Sequence, residues 1–258
     1  MKNKKVKLHE NDILYIAGYV GKMILEYGGE TYRAEDMVDK ICRYYGLETN
    51  SFAVLTSIMT SVRGKEQKFY TSIEKINVRT INVEKISKIN NLVHEINKYS
   101  FEEFLILIKK IDKEKTYSFI YILIGNCLAA GAFAFFFKGD IRDCISSFIG
   151  GALISLLCFY GNKLQINNFF INLVGGILSS ISAFFFYKVG LIHNVSISII
   201  STLMLLVPGI AFTNSIRDLI AGDLVSGISR GVEAFMVGTA LAIGSGLSLS
   251  IIKTMGGL

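Results

Sequence analysis

Five ionisable side chains crowd into a stretch that is otherwise apolar: Arg217, Asp218, Asp223, Arg230 and Glu233, in LVPGIAFTNSIRDLIAGDLVSGISRGVE from Leu206 to Glu233. The chain's single proline, Pro208, stands at its head and is followed by Gly209. Proline removes a backbone donor and clashes with the preceding turn, so a helix arriving from about Val195 is predicted to end or break there, and another to start near Leu224. Two guanidinium groups can attract a carboxylate, and three carboxylates can attract an ammonium group or a proton. Charges at membrane depth are costly unless they face a cavity or one another. Two readings stay open. As a connection, the stretch ends one span, lays down an interfacial helix over 217–223 and begins the next span near Val232. As a site, it resembles the broken helices with which transporters present backbone groups and ionisable side chains to a substrate. The candidate substrate-binding or gating residues are Pro208, Gly209, Asn214, Arg217, Asp218, Asp223, Ser226, Arg230 and Glu233.

The elements that must position these residues follow from an uneven distribution of charge. Residues 1–116 hold 20 of the 27 Lys and Arg and 16 of the 21 Asp and Glu. Beyond them, uncharged runs at Tyr117–Phe137, Cys144–Asn162, Leu164–Tyr187, Val189–Ile216 and Ala234–Ile252 predict spans at about 117–137, 144–162, 166–187, 194–213 and 232–252, each near the length a helix needs to cross a hydrocarbon core. Five such runs in succession do not fit one soluble core. The expected fold is therefore an α-helical polytopic membrane protein with about five transmembrane helices, one broken near Pro208. Ahead of them stands a small α+β cytosolic domain, giving domains at 1–115 and 116–258. Gly227 and Gly231 form a GxxxG spacing, and Gly222, Gly238, Gly244 and Gly246 extend a run of small residues, which predicts a close helix or subunit interface. Asn126, Asn172, Ser179, Ser180 and Ser182 are expected to make hydrogen bonds between helices.

No cleavable signal peptide is expected, because the apolar positions after the basic start are interrupted and helically spaced. Lys109, Lys110, Lys113 and Lys115 precede the first span, so the positive-inside rule places the N-terminus in the cytosol, and an odd span count would put the C-terminus outside. The later loops, with Lys163, Arg217 and Arg230 on one side and Lys138, Arg142, Lys188 and Lys253 on the other, do not decide orientation. The net charge of +6 belongs to a surface beside an anionic leaflet and not to a nucleic-acid site, since both signs are interspersed. Cys42, Cys127, Cys144 and Cys158 have no CxxC spacing; neither a disulfide framework, a metal site nor a cofactor is indicated.

In the soluble part, Ile13, Ile16, Ala17, Val20 and Ile24 predict a helix closed by Gly28-Gly29. Met37, Val38, Ile41 and Cys42 predict a second helix, stopped at Gly46. Ser51–Val62 and Lys68–Ile76 read as the two strands of a hairpin around Arg63-Gly64-Lys65. Ile86, Ile89, Val93 and Ile96 mark a third helix, and Ser100 with Glu103 makes a capping box for a fourth over Phe101–Ile111. His94 is expected at the surface. Arg33, Glu35, Asp36 and Asp39 read as helix-start electrostatics.

On the residues Pro208-Gly209-Ile210, Asn214, Ile216–Ile220, Gly222-Asp223, Ser226-Gly227, Arg230 and Glu233-Ala234, the chain resembles the threonine/serine exporter family, specifically the ThrE N-terminal half that also occurs as a YjjP-like subunit. Tyr32–Asp36, Ile41-Cys42, Gly46, Thr56–Ile58, Ile86, Ile89-Asn90 and Ile96 stand in the family's order, so the likeness covers nearly the whole chain. The resemblance implies a secondary transporter in the plasma (inner) membrane, multi-pass, exporting threonine or serine, or dicarboxylates such as succinate in related split systems. It implies as partners a lipid bilayer, a small-molecule substrate, a small YjjB-like membrane subunit supplying the family's second half, and an oligomeric assembly, with no nucleic acid. An intramembrane enzyme built on Asp218, Asp223 and Ser226 is disfavoured, because no histidine lies near Ser226 and the acids lack a DxxD arrangement. A membrane-anchored sensor or scaffold, in which the cytosolic domain carries the function, is the alternative from another class.

Overall fold

The computed structural model describes residues 9–64, 68–114 and 117–254. Lys65 of the expected hairpin turn, Lys115 of the charges before the first span and the basic start of the chain lie outside the described residues. The chain divides into two compact units. One comprises the described residues up to position 115 together with Ile210–Gly231; the other comprises the described residues from 117 to Gly209 together with those from Val232.

In the first unit, α1 (Glu10–Glu26) and α2 (Thr31–Tyr44) lead into an antiparallel sheet of β1 (Glu48–Val54), β2 (Ser57–Arg63) and β3 (Phe69–Lys75), in that spatial order. Helices α3 (Val83–His94) and α4 (Phe101–Lys113) follow. Ile16, Val20 and Ile24 of α1 are fully enclosed with Val38 and Ile41 of α2, Ile58 of β2, Ile89 of α3 and Phe104 and Ile108 of α4. Burying that apolar area is the driving force for the unit. The Ser100 capping box forms as expected: Glu103 N–H donates to Ser100 Oγ at 3.3 Å, and Ser100 N–H to Glu103 Oε2 at 2.8 Å. Near the end of α4, Asp112 accepts from the hydroxyls of Tyr19 and Tyr27, each at 2.5 Å, which fastens that helix to α1.

The strand expected over Ser51–Val62 is instead two strands. Val54 pairs with Ser57, leaving Leu55-Thr56 as a two-residue loop. Such loops usually carry Gly, Asn or Asp, and this one has none, so nothing in the sequence marks it. The hairpin expected around residues 63–65 is the second turn of the sheet, joining β2 to β3.

In the second unit, α5 (Phe119–Phe136), α6 (Ile141–Lys163) and α7 (Asn168–Lys188) are long and apolar enough to cross a membrane, as is α10 (Leu224–Thr254), which is shared with the first unit. The run expected as a span over 194–213 is not one such helix. Helix α8 (Val195–Leu203) has 9 residues, about 14 Å of rise, and stops ahead of Pro208. Helix α9 (Gly209–Ala221) resumes after it. The missing amide of proline and the restriction it places on Val207 unwind the last turn, so α8 ends four residues before Val207. The run expected over 232–252 lies within α10, whose start at Leu224 is where the sequence puts it.

Small residues set the packing of the second unit. A Cβ on Gly176 of α7 would lie 2.6 Å from the Leu241 carbonyl and 2.9 Å from the Ser245 amide of α10. Asn126 donates to Ser155 Oγ across α5 and α6 at 2.9 Å, and Ser180 reaches the Ser245 carbonyl at 3.5 Å. Asn172, Ser179 and Ser182 instead bond to carbonyls of their own helix. Because both helix backbones must move to admit a methyl group at position 176, Gly176→Ala is expected to cost about 1–3 kcal/mol. Gly125→Ala, which faces open space, should be neutral. Thermal unfolding of the two purified variants in detergent checks this.

Candidate functional site

Two glycine turns build the site. Helix α1 ends in a Schellman motif: Gly28 takes a φ of +85°, its N–H bonds to the Leu25 carbonyl at 3.1 Å, and the Gly29 N–H reaches back to Ile24 at 2.8 Å. Helix α9 ends the same way at Gly222, φ +95°, with Gly222 N–H on Leu219 at 3.2 Å and Asp223 N–H on Asp218 at 2.9 Å. Both positions need the left-handed region that glycine enters without penalty. Glycines at 227 and 231 then let α10 close on α9. A Cβ on Gly227 would be 2.6 Å from Leu219 Cγ, and one on Gly231 would be 2.9 Å from Ser215 Oγ. Ser215 Oγ donates to the Gly227 carbonyl at 2.7 Å, so the GxxxG spacing serves a contact between α9 and α10.

The two turns bind each other. The Gly28 carbonyl accepts from Asn214 Nδ2 at 2.9 Å, and the Gly29 carbonyl from Arg230 Nη2 at 3.1 Å. Glu30 accepts from Arg217 Nη1 at 2.6 Å and pairs with Arg33 Nε at 3.2 Å. Thr31 opens α2, where a helix leaves N–H groups without intrahelical partners. Its N–H donates to Asp218 Oδ1 at 3.3 Å, so a carboxylate 187 residues away caps α2 and meets the positive end of its dipole. The Thr31 hydroxyl lies 3.2 Å from Asp218 Oδ1 and 2.9 Å from Asp223 Oδ2, and its single proton serves one of them at a time.

Burial makes these contacts consequential. Asp218 and Thr31 are 0% exposed, Glu30 4% and Arg230 6%. Arg230 Nε stands 3.3 Å from Asp218 Oδ2, an ion pair whose geometry falls outside hydrogen bonding. Burial raises the Asp218 carboxyl above the ordinary range despite Arg230 and Thr31. At Glu30, burial pushes the same way but is outweighed by its own backbone N–H, Arg217 and Arg33, and the carboxyl is held low. Glu35, lower on α2, is raised by burial, against the pull of the Ala53 N–H that it accepts at 2.7 Å, with Asp223 and Asp39 adding like charge.

Of the nine residues singled out in the sequence, Asn214, Arg217, Asp218, Asp223 and Arg230 converge here. Ser226 is buried in the first turns of α10. Pro208 and Gly209 form the break between α8 and α9, and with Glu233 they belong to the second unit. Gly28, Gly29, Glu30 and Thr31 were not foreseen as site residues. Gly28-Gly29 signals a helix end, but nothing local signals what that end binds. Arg33, Glu35, Asp36 and Asp39, read as helix-start electrostatics, do more than that: Asp39 accepts from the Thr49 and Ser51 hydroxyls at 2.9 Å each, fixing α2 to β1. Among the described residues no group of three or more His, Cys, Asp or Glu could hold a metal ion.

Removing Arg230 leaves Asp218 buried without its cation. Arg230→Met is expected to cost about 3–5 kcal/mol, and adding Asp218→Asn should restore most of it. A double-mutant cycle on thermal unfolding midpoints checks the coupling. Glu30, whose carboxyl is depressed in the fold, contributes stability above the ordinary Glu value of about 4.3 and loses it as pH falls through its lowered value. The stability gap between wild type and Glu30→Gln should therefore close only below that pH. Asp218 carries the opposite sign, its contribution fading as pH rises through its raised value.

Residues 15–252 match the family described as "Putative threonine/serine exporter". The threonine/serine exporter of Corynebacterium glutamicum is 24% identical over 255 residues, covering 93% of this chain and 51% of that protein. The chain thus spans about half the length of this curated relative. No solved structure matches significantly. With the family match running across both units and the α9–α10 segment, the chain belongs to the threonine/serine exporter family and is a membrane protein of a transporter family, not of an enzyme family.

Proposed function

We propose that this chain is a subunit of a secondary transporter that exports small hydrophilic metabolites across the plasma (inner) membrane, with its N-terminus in the cytosol. The contact between the α1–α2 and α9–α10 turns acts as its gate. The observation that carries the gate is the buried Asp218 carboxylate, shared between the N-terminus of α2 and Arg230. The groups that hold the turns together are those an amino acid presents. A substrate carboxylate can replace Asp218 at the Thr31 amide and Arg230, and a substrate ammonium group can take the place of the Arg230 guanidinium at Asp218. Both signs of charge are present, which fits a zwitterion such as threonine or serine better than a dicarboxylate such as succinate. Helix α10 runs unbroken from Leu224 to Thr254, so a shift of its first turns is carried into its apolar length.

The name of the relative supports the choice of substrate. A small YjjB-like membrane subunit, within an oligomeric assembly, is the proposed partner.

Efflux of labelled serine, threonine and succinate from cells tests the reading, with wild type beside Thr31→Val, Arg217→Ala and Asp218→Asn. Each variant removes at least one hydrogen bond between the two turns, so serine efflux is expected to change about three- to tenfold while the protein still reaches the membrane. Succinate efflux should remain at background. Efflux unaltered in all three variants would remove the two turns from the mechanism. Succinate efflux alone would replace the substrate.

A further inference from the structure

A second buried acid lies away from the two turns, at the start of α6. Asp143 is the third residue of that helix and is 4% exposed. Its Oδ2 accepts from the Asp140 N–H at 3.1 Å, closing a capping box with the Asp140 side chain. That accounts for one oxygen. Its Oδ1 is sealed from solvent and has no hydrogen-bond partner, and the same is true of Ser147 Oγ, one helical turn further on the same buried face. A serine at this position ordinarily bonds back to the carbonyl four residues earlier, as Ser155 does to Gly151 at 2.9 Å.

The neighbouring contacts between α6 and α8 are small and polar. Ser146 Oγ and Ser198 Oγ of α8 are 2.8 Å apart, and Thr202 packs on Gly150, where a Cβ would approach its Oγ1 to 2.6 Å. A Cβ on Gly139 would lie 3.0 Å from Asp143 Cβ and 2.9 Å from Ile197 Cγ2, so the chain before α6 packs tightly against both side chains. Asp143 forms no ion pair with a basic side chain among the described residues. A buried carboxylate without a cation is expensive, and a native protein commonly relieves that by taking a proton or a metal ion.

We infer that Asp143 Oδ1 and Ser147 Oγ form a binding position for one small monovalent cation, a proton or a sodium ion. A sodium ion would be held by the carboxylate and the hydroxyl oxygen. A proton would reside on Asp143 Oδ1, and Ser147 Oγ would accept from it once its side chain turns, since the two atoms are not hydrogen-bonded as they stand. Both supply the positive charge that the site lacks, and neither step makes or breaks any bond other than the O–H or the coordination named. As the site of the ion that drives export, this rests on the exporter reading above; as a cation site, it stands without it. The neighbouring titratable and charged groups are Asp140, Arg142 and Cys144 around the start of α6, Lys138 between α5 and α6, and Lys188 at the end of α7. His193 precedes α8, with its Nε2 3.4 Å from Arg142 Nη1. The buried polar side chains of α8 are Ser198, Ser201 and Thr202.

The test uses the purified full chain in detergent, without transport. Thermal unfolding midpoints are recorded for wild type, Asp143→Asn and Ser147→Ala in sodium chloride against choline chloride at equal ionic strength, at a series of pH values. A sodium site raises the wild-type midpoint saturably by about 3 °C; a proton site gives no sodium effect but a pH-dependent midpoint. In either case Asp143→Asn abolishes the response and Ser147→Ala weakens it. If Asp143→Asn does not fold, the Ser147→Ala comparison decides alone. Identical sodium and pH responses in wild type and the variants overturn the site. Serine efflux that persists with an unresponsive Asp143 sinks this inference and leaves the exporter; a responsive Asp143 without efflux does the reverse.

Discussion

A helix that starts inside a protein must find partners for its first amides, and in this chain α2 finds them far along the sequence. Asp218 supplies the carboxylate at the start of α2, and the rest of the candidate site is arranged around that placement. The Schellman turn at Gly28 exposes two carbonyls for Asn214 and Arg230, and the one at Gly222 brings Asp223 beside the Thr31 hydroxyl. Arg230 offsets the charge without making an ideal hydrogen bond to it. A carboxylate held this way is stabilised by several modest interactions, none dominant. Such an arrangement can hold closed and still be displaced by a competing carboxylate.

How much of this was legible depended on whether the governing contacts were local. The capping box at Ser100 and Glu103, the break at Pro208 and the start of α10 at Leu224 are short-range effects, and each lies where the residues say. The loop at Leu55-Thr56 was hidden because its residues are β-branched or apolar, so two strands read as one. The reduction of α8 to nine residues was hidden because hydropathy runs through Pro208 although the helix cannot. For the site, the sequence exposed one side only. Arg217, Asp218, Asp223 and Arg230 stand out against an apolar background, while Glu30 and Thr31 look like any polar pair at the start of an amphipathic helix in a charged domain. Only the tertiary structure joins them.

The second unit obeys a different solvent. Its glycines bring helix backbones together at Gly176 and Gly244, where the would-be Cβ positions collide with the facing main chain. Its hydroxyls mostly bond to carbonyls of their own helix, as expected where water is not available to satisfy them. Against that background the orphaned oxygens of Asp143 and Ser147 are exceptions. They depart from the rule that buried polar groups are satisfied, and departures of that kind are where function is sought.

Hydrogen exchange at the Thr31 amide measures the central contact directly. The first amides of a helix lack intrahelical acceptors and usually exchange fast, so protection there reports an external partner. With peptides covering residues 28–34, the account predicts slow exchange at Thr31 in the wild-type protein and fast exchange in Asp218→Ala, with α3 and α4 unaffected. Equal and fast exchange in both proteins would contradict it.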